Sequence, residues 1–185
     1  MDVVLSPYED PSAGLDWPEQ TPQILEGLKS RIESWDGAKV EYRIRETNHG
    51  LGADWPTITL QILSLSATAF FVIPAAHKKI RESIEEWRKI KANVERFIAW
   101  VSPKKKIASY PVELLFLDCA DQALETDASE RLEFLGWSEV PVPAEVSGGF
   151  TAIKHYIFTF RSATQITLVA IDNRRQVLWI RSTPV

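Results

Sequence analysis

Apolar positions along this chain follow two rhythms, one of about 3.6 residues and one of two, and the switches between them mark its elements. Asp2-Val3-Val4-Leu5 reads as a short strand closed by Ser6-Pro7, and a loop rich in proline, glycine and acids continues to about Glu19. Thr21-Pro22 then has the form of an N-cap with proline at the first helical position. Ile24, Leu25, Leu28, Ile32 and Trp35 share one helical face until Gly37 ends it. From Lys39 to Arg45 the period is two: Val40, Tyr42 and Ile44 turn to a core, while Lys39, Glu41, Arg43 and Arg45 turn to water.

Between Trp55 and Ala76 there is no charged residue, and this stretch bears on the class of the protein. A membrane-spanning helix needs about 20 mostly apolar residues. Here Thr57, Thr59, Gln61, Ser64, Ser66 and Thr68 place a polar group at nearly every second position, which hydrocarbon penalises. The expectation is a segment buried in a water-soluble body, helical from Trp55 to Ile73, although Ile58, Leu60 and Ile62 also alternate as a strand would. From His77 a long amphipathic helix is predicted, because Ile80, Ile84, Trp87, Lys91, Val94, Ile98 and Val101 recur at alternating steps of four and three. A lysine on that seam favours packing within the chain over a coiled-coil partner.

Past Pro103 and the run Lys104-Lys105-Lys106, the apolar stretch Val112 to Leu117 resembles a strand covered on both faces. Asp127-Ala128-Ser129-Glu130 has capping-box spacing, and Leu132, Phe134 and Leu135 suggest a short helix stopped at Gly136. After the stiff Val140-Pro141-Val142-Pro143 connector and Gly148-Gly149, residues 150–161, 164–171 and 176–182 predict an antiparallel three-stranded meander with short turns. The order β-α-β-α-α-β-α-β-β-β points to an α+β fold: a single mixed sheet with helices packed on it, in one domain over residues 1–185, with a subdomain joint only near 141–149.

Composition narrows the function classes. A hydrophobic share of 45% with 25% charged residues is that of a folded globular chain. A net charge of -4 disfavours nucleic acid as a partner and favours a basic protein. One cysteine, Cys119, excludes an internal disulfide, and the opening residues lack a signal-peptide pattern, so a cytoplasmic location is expected.

Catalytic signatures are weak. Cys119 lies between Asp118 and Asp121, whose negative charges oppose a thiolate, so a buried structural thiol is expected. His49, His77 and His155 are far apart and lie in no metal-ligand spacing, and no phosphate-binding glycine loop or nucleophile elbow occurs. No catalytic, cofactor or metal residues are therefore assigned, and the chain is expected not to be an enzyme.

An acidic chain with 7 tryptophans suits a protein-binding module. The expectation is a bacterial-style immunity or antitoxin-like protein that covers the active site of a basic partner. Its candidate contact residues are Tyr8, Glu9, Asp10, Asp16 and Trp17 in the N-terminal loop, with Trp137 and Glu139 before the proline connector. The alternative is an accessory or regulatory subunit of a larger defence or toxin assembly, with residues 55–76 contacting a membrane or a partner.

Overall fold

A computed structural model of the chain describes residues 1–6, 17–37, 39–47, 57–65, 84–102, 106–127, 132–142 and 153–185. Contacts cluster into two compact units, one formed by Met1–Phe70 with Asn93–Ser109 and the other by Phe71–Ala92 with Tyr110–Val185.

The first unit holds a sheet of β1 (Asp2–Ser6), β2 (Val40–Thr47), β3 (Thr57–Leu65) and β4 (Lys106–Ser109), in the order β2-β3-β1-β4 and antiparallel throughout. β3 corrects the helix expected from Trp55 to Ile73 over its described part. Thr59 and Gln61 alternate with the apolar positions of a strand flanked on both sides, and Ile58, Leu60 and Ile62 are each 1% exposed on the inner face, while Ser66 and Thr68 lie outside the described residues. Val3 lies opposite Leu60 and Leu5 opposite Ile58, so one face is continuously apolar. Each such burial stabilises by about 1.5–3 kcal/mol.

The helices of this unit are α1 (Trp17–Glu33) and the later half of α2 (Ile84–Val101). α1 begins four residues before the expected Thr21 cap, which places Pro22 inside it. The tryptophan ring of Trp35 packs edge-on against Phe97 at 5.5 Å and beside Trp100 at 5.8 Å. Gly37 permits this, because a Cβ there would lie 2.4 Å from the Trp35 ring. Arg31 donates through Nε to the Trp100 carbonyl, and Trp100 Nε1 donates to the Arg31 carbonyl at 3.0 Å. A reciprocal clasp thus joins α1 to α2.

The second unit holds α3 (Val112–Thr126) on a sheet of β5 (Glu133–Val140), β6 (His155–Arg161), β7 (Gln165–Asp172) and β8 (Val177–Pro184), in sequential antiparallel order. The C-terminal meander is as the sequence predicts. Two readings are corrected. Val112 to Leu117 is the start of a helix, opened by Pro111 at φ -66 and ψ 142, and its apolar run continues at helical steps through Cys119, Ala120 and Ala123, all buried. Leu132 to Gly136 is not helical either. Asp127 is the C-cap of α3, the rest of the expected capping box, residues 128–130, lies outside the described residues, and Glu133 opens a strand in which the pairing shifts between Phe134 and Gly136. Gly136 stands at φ +152, so it forms a bulge rather than a helix stop. The single mixed sheet is likewise replaced by two four-stranded antiparallel sheets.

Phe116 centres the second core. Its ring lies 4.9 Å from Phe134 and 5.9 Å from both Phe158 and Phe160, with Val169 and Ile171 completing the sheet side.

Replacing Leu60 or Phe116 by alanine should cost about 2–5 kcal/mol each, read as a lower midpoint in chemical denaturation. A shift below about 1 kcal/mol at either position would contradict the packing described.

Candidate functional site

The residues of β5 are set by its bulge. Because Phe134 pairs with Phe160 and Trp137 with Phe158, Leu135 is the extra residue and is left 44% exposed. Trp137, in register with Phe158, lies on the sheet face that carries α3, yet at the sheet's edge, and is 43% exposed. One side of its ring is supported, stacked on Phe158 at 6.2 Å and 26° and lying 5.8 Å from Tyr156. Its entropy cost on binding is therefore small, since the ring is already held.

Glu139 follows on the same face, opposite Tyr156. Its carboxylate is met by Lys154 Nζ at 3.1 Å, with both side chains nearly half exposed. Such a surface pair contributes little to stability and is exchangeable. Burial, and secondarily the charge of Glu139, push the Tyr156 phenol up to about 12. On the other face Glu133 accepts from Arg161 Nε at 3.1 Å. The edge thus presents a braced indole, an exposed leucine and a carboxylate within one short strand. An aromatic face beside a carboxylate suits a lysine or arginine side chain.

A second constellation lies on α3. Asp118 receives Arg175 twice, Nε at 2.7 Å and Nη2 at 2.8 Å, and Lys91 Nζ at 2.8 Å. Asp121 receives the same Lys91 Nζ at 2.8 Å and Arg88 Nε at 3.2 Å. Arg175 sits in the β7–β8 turn at φ 72, a backbone position costly for a long side chain, and lies over the Tyr110 ring at 5.3 Å. Asp172 completes the turn by accepting from the amides of Arg174 and Gln176. These carboxylates are engaged in holding elements together.

Lys91 carries opposing influences. Burial works against its charge, but the hydrogen bonds and charges of Asp118 and Asp121 prevail and hold its pKa above the ordinary value. Cys119 lies within α3 at 0% exposure, not beyond a strand as expected, and burial followed by the Asp118 charge raises its pKa strongly. Such a thiol stays protonated and unreactive at neutral pH.

Of the contact residues expected from sequence, Trp137 and Glu139 come together on β5. Trp17 opens α1, and Tyr8, Glu9, Asp10 and Asp16 lie outside the described residues, as do His49 and His77. His155 begins β6, in register with Asp172 and half-buried. Sequence reasoning missed Leu135 and the grouping of Lys91, Asp118 and Arg175. The latter had a signal: a lysine on an apolar helix seam needs a carboxylate, and Asp118 and Asp121 share a helix face at i,i+3. Among the described residues no helix is long and apolar enough to cross a membrane. Comparison with protein-family models, with curated proteins and with solved structures finds no match.

Cys119, Tyr156 and Lys91 each hold their proton more tightly in the folded chain than their ordinary values of 9.0, 10.0 and 10.5. Above pH 9.0 the folded state then binds more protons than the unfolded one, so the contribution is complete below that pH and is lost as pH rises. Denaturation midpoints should fall progressively above pH 9.0, and Cys119→Ala should flatten the first part of the fall. A midpoint unchanged through this range would contradict it.

Proposed function

We propose that this chain is a protein-binding module that neutralises a basic partner by covering its active site, in the manner of an immunity or antitoxin-like protein. The observation that carries this reading is Trp137, an exposed but braced indole beside Glu139 on an edge strand. Tryptophan anchors dominate protein interfaces, and opposite net charge accelerates encounter. The overall charge of -4 supplies the steering, and the indole supplies the slow release. No chemistry is required of the chain itself, and a cytoplasmic setting fits its single thiol.

The alternative, an accessory or regulatory subunit using residues 55–76 against a membrane or a larger assembly, draws less support. Ile58, Leu60 and Ile62 already fill the inner face of β3.

Affinity capture from native lysate at low and high salt tests the proposal. A basic protein should be retained at low salt and weakened at high salt. Trp137→Ala should reduce its affinity by about 30-fold or more, and Glu139→Lys should slow association, with far-ultraviolet circular dichroism unchanged in both. Capture of no partner at either salt, or equal capture by Trp137→Ala, would overturn it.

A further inference from the structure

Among the described residues the two sheets have four edge strands, and three of them carry charge or shortness that discourages pairing with another strand. β2 presents Glu41, Arg43, Arg45 and Glu46 to solvent, β4 has only 4 residues, and β5 carries Glu133 and Glu139 beside a bulge and Gly136. β8 differs. It too has a bulge, at Leu178 near its start, and Pro184, which has no amide to donate, closes it; between them Trp179 to Thr183 pair regularly with β7, and its one charge is Arg181. Val177 and Leu178 are 37% and 38% exposed at its start. A regular, weakly charged edge rich in apolar residues is a template for strand addition.

We propose that β8 pairs antiparallel with β8 of a second copy of this chain, joining two such sheets about a two-fold axis at Ile180. The register follows from symmetry and charge. In antiparallel pairing opposed residues direct their amides alike, so a two-fold axis passes beside a residue and never between two. An axis at Arg181 sets guanidinium against guanidinium, which destabilises the pair. An axis at Trp179 or Ser182 leaves Arg181 facing Val177 or Thr183. An axis at Ile180 sets Arg181 of each copy opposite Trp179 of the other. That repeats across the interface the contact Arg181 already makes within its strand, 5.3 Å over the Trp179 ring. The strand is therefore complementary to itself in this register.

The inference stands apart from the partner-binding reading. β5 is the opposite edge of the same sheet, so a β8-paired dimer leaves both copies of Trp137 free and makes the module bivalent.

Sedimentation velocity over a concentration series from micromolar to sub-millimolar tests it with two variants of opposite charge at one position. The wild-type chain should dimerise. Trp179→Lys sets a like charge against Arg181 twice across the axis and should weaken the dimer by roughly tenfold or more. Trp179→Glu sets an opposite charge there and should keep a dimer that loosens with salt. Adding Arg181→Glu to Trp179→Lys should restore pairing. A wild-type chain that stays monomeric throughout the series, or lysine and glutamate variants that dimerise equally, would overturn the proposal.

Discussion

The carboxylate of Asp118 joins three separate parts of the second unit. It is 14% exposed, on α3, and receives Lys91 from α2 and Arg175 from the β7–β8 turn. A charge in that position is costly unless it is paired with good geometry, and the twofold contact from Arg175 supplies such geometry. In return the contact holds Arg175 at a positive φ that its side chain would otherwise avoid. The turn so fixed sets the register of β8 against β7, and Tyr110, whose amide bonds the Asn173 carbonyl, leads from that turn into α3. The electrostatics here serve to position elements.

With α3 so held, the aromatic cluster around Phe116 covers one face of the meander, and among the described residues β5 and β8 form its two ends. At one end Trp137 is stacked on Phe158 but open to solvent; at the other, β8 runs regularly with little charge. Both surfaces derive from the same fact, that a four-stranded antiparallel sheet has two edges and one helix cannot shield both. The difference between them is local. Each edge has one bulge, at Leu135 in β5 and at Leu178 in β8; β5 adds Glu133 and Glu139, while the stretch Trp179 to Thr183 of β8 is regularly paired with Arg181 as its one charge.

How much of this was legible beforehand varies with the element. Period two was read correctly at Val40 to Ile44 and in the meander, where alternation is strict and the turns are short. It was overruled at Ile58, Leu60 and Ile62, because an uncharged stretch invites a helical reading although its polar groups fell on alternate positions. Val112 to Leu117 failed for the converse reason. A continuous apolar run has no period of its own, and only the buried Cys119, Ala120 and Ala123 further on declare a helix. Gly136 was read as a helix stop, and the same freedom at positive φ serves a bulge.

The sequence by itself determined the alternation of β2 and the meander, the amphipathic stripe of α2, the inertness expected of Cys119 and the pairing of Trp137 with Glu139 along one stretch of chain. Those are local properties, fixed by which side chains follow one another. Tertiary structure alone decided that the strands divide into two sheets, that Lys91 meets Asp118 and Asp121, and that Trp137 and β8 stand at opposite edges. Each of these depends on contacts between residues distant in sequence, which the local periodicity of a stretch does not specify unless a short turn joins the two strands.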